Sequence, residues 1–161
     1  MVNEVKRQSN YADWEQEVSP GIKADSLWKM QAYRFALFLD DLCWHDTAKF
    51  LKVPRMLGIA DQLARATGSI GANLAEGYSR GTGRDRARFY EYSLGSARES
   101  RHWYYKARHV LGEAVYQHRE QILAKIIRLL LTMIPDQRQR VLREVEITYE
   151  AELDLERIPY A

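Results

Sequence analysis

Along the 161-residue chain, apolar side chains recur at three- and four-residue spacing in four long segments, and none shows the sustained alternation of a strand. The pattern predicts an all-α protein. Trp28, Phe35, Leu39 and Leu42 stripe a first long helix, expected to start near Asp25 or Ser26, either of which can cap it, and to run to about Phe50. Pro54 ends that run. A second helix is expected from about Met56 to Ser79, with Leu63, Ala66, Thr67, Ile70, Leu74 and Gly77 on one stripe. Ala64, Gly68, Gly71, Ala72 and Ala75 make an adjoining stripe of small residues, which predicts close approach of another backbone.

In "EGYSRGTGRD", Gly77, Gly81 and Gly83 are read as left-handed positions that stop the second helix, and Thr82 with Asp85 as the capping box of a third. This third helix, about Gly83 to Leu111, is expected to bury Phe89, Tyr92, Ser93, Ser96, Ala97, Ser100, Trp103, Tyr104, Ala107 and Val110. Gly112 ends it. A fourth, about Glu113 to Ile134, places Val115, Ile122, Ile126, Leu129 and Met133 on one seam, broadened by Leu123, Ile127, Leu130 and Leu131. That apolar surplus predicts a second contact surface, between subunits. Short connections imply antiparallel neighbours in an up-down-up-down four-helix bundle. The domain reading is an N-terminal arm over residues 1–25, with Trp14 in an arm or short helix outside the core, a bundle over 26–134, and an extension over 135–161 that Pro135 separates from the fourth helix.

The single cysteine, Cys43, can form no internal disulfide, and "MVNEVKRQSN" lacks a secretory apolar stretch, so a cytoplasmic protein is expected. The most apolar run, "ILAKIIRLLLTMI", is broken by Lys125 and Arg128 and is too short to span a bilayer. Net charge is only +2 but is unevenly spread. Residues 54–143 carry an excess of 8 basic side chains, whereas residues 144–161 carry 6 acidic and 1 basic. The middle of the chain is therefore basic and the tail acidic.

Two polar lines stand out. Arg65, Ser69, Asn73, Glu76 and Arg80 lie along one edge of the second helix, where Asn73 and Glu76 form either a buried polar site or structural partners for backbone groups or an arginine. Arg98, Arg101, Tyr105 and Arg108, flanked by His102 and His109, run along the third helix and add to the cluster of Arg80, Arg84, Arg86 and Arg88 at the neighbouring turn. Arginines with an aromatic among them suit phosphate contact and base stacking; the alternative is a solvated face. Catalytic patterns are absent. Glu99 and His102 make one Glu-x-x-His pair, but a di-iron bundle needs two. No G-x-S-x-G or H-E-x-x-H motif occurs, and Cys43 sits in an apolar-rich helix that predicts a buried, inert thiol. No metal or cofactor is expected.

The run "SIGANLAEGYSRGTGRDRARFYEYSLGSARES" resembles the four-helix-bundle protein family encoded in intervening sequences of bacterial 23S ribosomal RNA genes. The matching positions are Ser69, Ile70, Asn73, Leu74, Ala75, Glu76 and Gly77, then Phe89, Gly95 and Ser96. The resemblance implies an up-down bundle assembling as a ring, typically a homopentamer, with no known catalytic residue. It extends to the accessory variability determinant of diversity-generating retroelements, which works beside a reverse transcriptase on template RNA through a basic surface. This chain departs from the family pattern in placing Arg98, Arg101 and His102 around Glu99, a shift toward nucleic acid.

The expectation is a non-catalytic homo-oligomer that binds RNA or DNA through Arg84, Arg88, Arg98, Arg101 and Arg108, with Tyr105 for stacking. Ser69, Asn73, Glu76 and Gly77 would hold the assembly together. A reverse transcriptase or another RNA-handling system is the implied associate. The alternative is a structural adaptor that binds a protein through its apolar surplus and terminal extensions, with the arginines merely solubilising.

Overall fold

The computed structural model describes residues 10–138 and 156–160. Among these every regular element is helical: α1 (Tyr11–Glu17), α2 (Pro20–Ala24), α3 (Gln31–Phe50), α4 (Leu57–Tyr78), α5 (Gly83–Leu111) and α6 (Glu113–Arg138). Single 3-10 turns at Ser26–Lys29 and Pro54–Met56 lead into α3 and α4. Each long helix packs on the next, and α6 returns to α3, whereas α3 and α5 barely meet. No helix among the described residues is long and apolar enough to cross a membrane.

Leu39, Leu63, Leu74, Ile122 and Ile126 are completely buried, so the stripes read from the sequence do form the core of α3, α4 and α6. On α6 the apolar breadth is absorbed within the chain. Leu123, Ile127 and Leu130 are buried, and Leu129, Leu131 and Met133 pack on the same core as partly exposed residues.

Several local expectations need correction. Helix α3 starts at Gln31, because Asp25 uses its carboxylate to accept from the Leu27 N–H (2.8 Å) and so caps the 3-10 turn rather than the long helix. Trp14 belongs to the core: α1, capped by Asn10, lays its indole on Phe38, and the indole N–H donates to Asp41 Oδ2 (2.6 Å). On α5 the buried face is rotated relative to the sequence reading. Ala87, Tyr90, Leu94 and Leu111 join Ser93, Ala97, Ser100, Tyr104 and Ala107 inside, while Tyr92 is exposed and Phe89, Ser96, Trp103 and Val110 are half-buried. Aromatic bulk suggests burial of that side, but the side turned inward carries the small Ala87 together with Tyr90. Helix α6 also runs through Pro135 to Arg138, since a proline in the last turn forfeits one backbone hydrogen bond without ending the helix.

The capping box is present as expected: the Asp85 N–H donates to Thr82 Oγ1 (3.1 Å) and the Thr82 hydroxyl donates to Asp85 Oδ2 (2.7 Å). The left-handed glycines are not. Among the described residues the only positive-φ glycine is Gly112, at 85°, between α5 and α6. Gly77 and Gly83 are required by space instead. A Cβ on Gly77 would stand 2.8 Å from the Tyr90 ring and 2.9 Å from Phe89 Cβ, and one on Gly83 would stand 2.5 Å from the Gln137 carbonyl oxygen. By contrast, a Cβ on Gly68 or Gly71 would make ordinary contacts at 3.7 Å. Close approach inside the chain therefore explains Gly77 and not Gly68. Gly77→Ala is expected to cost about 1–3 kcal/mol by overpacking, whereas Gly68→Ala should gain up to about 1 kcal/mol in helix propensity. Urea unfolding of the two variants, at a protein concentration low enough to keep the chain monomeric, should move the midpoint in opposite directions; a shift in the same direction would refute the packing account.

Candidate nucleic-acid interface

Helix α5 buries Ser93, Ala97, Ser100 and Tyr104, which turns Arg84, Arg88, Tyr92, Arg98, His102 and Lys106 to the outside along one side. From Arg84 to His109 this face is about 37 Å long at 1.5 Å per residue. Along it, cations lie over aromatic rings. The Arg88 guanidinium is 5.6 Å from the Tyr92 ring and its Nε donates to the Tyr92 hydroxyl oxygen (2.8 Å). Lys106 Nζ is 5.2 Å from the Trp103 ring, whose indole N–H donates to Glu99 Oε1 (3.2 Å). Arg108 stacks at 3.8 Å on Tyr105, which is 53% exposed. At the turn before α5, Arg80 covers Phe89 at 4.7 Å. Such pairs hold the charged heads on an apolar footing while leaving them hydrated, which suits contact with phosphate and with unstacked bases.

The residues expected from the sequence divide accordingly. Arg84, Arg88, Arg98 and Tyr105 are exposed on the outer face of α5. Arg101 and Arg108 lie on its flank toward α6, where Arg101 pairs with Glu120 (3.3 Å) and Tyr105 meets Tyr116 edge-on (6.2 Å). Arg86 is engaged structurally: its Nε donates to Gln137 Oε1 (2.7 Å), and Arg138 pairs with Glu91 (2.8 Å), so the start of α5 is tied to the end of α6. Sequence reasoning missed Tyr92, Trp103 and Lys106, because their aromatic members were assigned to the core.

The second polar line is not a buried site within the chain. Asn73 is half-buried, and its amide donates to the Ser69 carbonyl (2.8 Å); Glu76 is exposed and pairs with Arg80 one turn on; Arg65 pairs with Asp61 (2.8 Å). These partners all lie on α4 or just past its end. Gly77, in contrast, is packed against α5 as described.

The buried charge lies elsewhere. Asp46 on α3 and Arg119 on α6 are 1% and 0% exposed and form a two-pronged pair, Nε to Oδ2 at 2.8 Å and Nη2 to Oδ1 at 3.0 Å. The Tyr104 hydroxyl also donates to Asp46 Oδ2 (3.0 Å). Arginine can only donate, so the 2.8 Å contact between Arg119 and His118 Nδ1 makes that nitrogen the acceptor. Burial works most strongly against the Arg119 cation, but the charge of Asp46, its hydrogen bonds and the nearby Tyr104 and Tyr160 together outweigh it and hold the guanidinium above its ordinary value. A sequence signal for this cluster exists: Asp46 continues the apolar stripe of Leu39 and Leu42, and Arg119 sits between Val115 and Ile122 on another.

Cys43 is buried, as its place in an apolar-rich helix predicts. Cys43 lines an open cleft of about 420 Å3 with Asp40, Asp41, Trp44 and His45, yet burial pushes its thiol up to about 12, so the reactive thiolate is scarce at neutral pH. Among the described residues no three His, Cys, Asp or Glu side chains converge to hold a metal. Asp40 in the same cleft is raised from 3.8, chiefly by burial, while the hydrogen bond from Thr67 (2.8 Å) opposes the shift. A folded-state value above the unfolded one means that ionised Asp40 weakens the fold at neutral pH, and that this penalty disappears as pH falls toward 3.8. Asp40→Asn is therefore expected to melt higher than wild type at pH 7, with the gap closing near pH 4. An equal gap at both pH values would refute that origin.

With its charged and aromatic groups displayed along a helix exterior, the molecule is an all-helical protein with a surface, rather than a pocket, for its candidate chemistry. The chain belongs to the 23S rRNA-intervening sequence protein family, whose model matches residues 29–139. It is also similar in fold to a crystallised protein of unknown function from the S23 ribosomal protein family of Bacteroides thetaiotaomicron VPI-5482. The two are 18% identical, with a TM-score of 0.60 over 64% of this chain and 97% of that one. No curated protein matches the chain.

Proposed function

We propose that the protein is a non-catalytic RNA- or DNA-binding homo-oligomer, built as an up-down four-helix bundle and assembled as a ring, with a pentamer favoured. The observation that carries the nucleic-acid reading is the outer face and flank of α5, where Arg88, Lys106 and Arg108 lie over Tyr92, Trp103 and Tyr105. Cations on aromatic footings offer both phosphate contact and stacking. Family membership favours RNA as the ligand class, and an accessory role beside a reverse transcriptase of a diversity-generating retroelement, or in another RNA-handling system, follows from the resemblance. A cytoplasmic location belongs to the same reading.

Support for assembly comes from glycines that the single chain does not need. A Cβ on Gly95 would meet nothing within 4 Å, and one on Gly68 would meet only the Asp40 carboxylate at ordinary distance. Each mid-helix glycine forfeits about 1 kcal/mol relative to alanine. Close approach of a neighbouring copy to α4 gives Gly68 a use, and Ser69, Asn73 and Glu76, about a quarter-turn round the helix, would be its polar contacts.

The test is fluorescence anisotropy of labelled structured RNA and duplex DNA of equal length, titrated with salt, on protein whose mass is measured by sedimentation. Binding that weakens steeply with salt is expected. Failure to bind either ligand at low salt, by folded and oligomeric protein, would overturn the reading. A second reading, a protein-binding adaptor, is favoured by the exposure of Trp44 (62%), Leu51 (67%) and Leu57 (49%) around the α3–α4 connection. A nuclease-resistant protein partner whose binding is lost in Trp44→Ala would support it.

A further inference from the structure

Residues 156–160 lie beyond the span matched by the family model, yet Ile158 is buried in the core and Tyr160 packs against it. Ile158 is 6% exposed and joins the buried cluster. The Pro159 carbonyl accepts from Arg119 Nη2 (3.0 Å), and the Tyr160 ring stands edge-on to His45 at 5.3 Å and 6.0 Å from the Arg119 guanidinium. One short stretch is thus held in three ways: a buried aliphatic side chain, a backbone carbonyl on a charged donor, and a ring between a histidine and an arginine.

Arg119 makes this more than incidental packing. Its guanidinium is completely buried, and it also bonds to Asp46 and His118. With the segment gone, Nη2 would lose an acceptor beside an opened hydrophobic site, a costly state for a charged donor. The α3–α6 groove therefore has chemistry for an occupant: an extended peptide presenting isoleucine, then a carbonyl, then an aromatic ring.

The chain length does not force that occupant to be its own. From Arg138 back along α6 to Arg119 is about 28 Å at 1.5 Å per residue, whereas residues 139–155 can reach about 60 Å at full extension. The same segment of a second copy fits the same groove, and a tether supplies its own copy at roughly millimolar effective concentration.

We propose that the α3–α6 groove around Arg119 is a peptide-recognition site for the Ile158–Pro159–Tyr160 segment, filled by the chain's own copy when isolated and exchangeable with that of a second copy. It is independent of the nucleic-acid reading, and its tests contain no nucleic acid.

The first test uses a fluorescein-labelled peptide of residues 153–161 and full-length chain carrying Ile158→Asp with Tyr160→Ala, which opens the groove. Saturable binding to this variant is expected, with at least tenfold weaker binding to wild type, whose own segment competes. A folded variant that does not bind, or a wild type that binds equally well, would overturn the proposal. Should the double variant not fold, the decision falls to full-length chain with Tyr160→p-benzoylphenylalanine, prepared light and isotopically heavy, mixed and irradiated. With protein at about millimolar concentration, matching the tether's effective concentration, crosslinks to α3 or α6 are expected both within a chain and between light and heavy copies. Absence of crosslinks to these helices overturns the site, and exclusively intrachain crosslinks overturn the exchange.

Discussion

Asp46→Ala is expected to destabilise the protein by about 3–5 kcal/mol, because it leaves the Arg119 guanidinium buried without its counter-charge. Both groups are essentially inaccessible, at 1% and 0% exposure, so water cannot replace the lost carboxylate without opening the α3–α6 contact. In a chain of this length the loss corresponds to a melting temperature lower by roughly 10 °C. Tyr104 adds to the effect. Burial, reinforced by the Asp46 charge, holds its phenol well above 10, so it remains a donor, and the substitution strips it of its acceptor. Combining Asp46→Leu with Arg119→Met should be less damaging than Asp46→Ala alone, since removing both charges abolishes the uncompensated one. Denaturant unfolding of the three proteins checks this. A loss below about 1 kcal/mol for Asp46→Ala would mean that the pair is hydrated or unimportant.

The second large effect concerns binding. Replacing Arg88, Arg98 and Lys106 together by alanine is expected to weaken nucleic-acid binding by up to several hundredfold at about 0.1 M salt, since each phosphate contact on duplex contributes a slope of about 0.9 in log K against log salt. Helical content and oligomer mass should not change, because all three residues are exposed on the outer side of α5. The slope should fall by nearly three in the same experiment. Arg86→Ala is the informative contrast. Its Nε is bonded to Gln137 across to α6, so its loss should lower stability more than the salt slope. A triple variant with unaltered affinity and slope would remove the outer face of α5 from the interface and direct attention to the flank at Arg101 and Arg108.

The sequence by itself determined the number and approximate limits of the long helices, because a 3.6-residue apolar period sustained over twenty or more residues admits no strand reading. It also determined the Thr82–Asp85 cap and the stop at Gly112, which are local events in which neighbouring backbone and side chains satisfy one another. The family signature from Ser69 to Ser96 was legible for the same reason: its residues are consecutive.

Tertiary structure decided what depends on residues far apart in the chain. The period of α5 does not say which of its two aromatic-bearing sides faces inward. Packing decided that, placing Ala87 and Tyr90 inside and leaving Tyr92 and Trp103 to carry cations outside. Gly77 and Gly83 read as turn glycines, but the Tyr90 ring and the Gln137 carbonyl, brought close by folding, set the actual demand for a missing Cβ. Trp14 and Ile158 look peripheral in sequence and are core in space. Asp46 and Arg119 stand 73 positions apart, and only the meeting of α3 with α6 makes two isolated charges on apolar stripes into one neutralised pair.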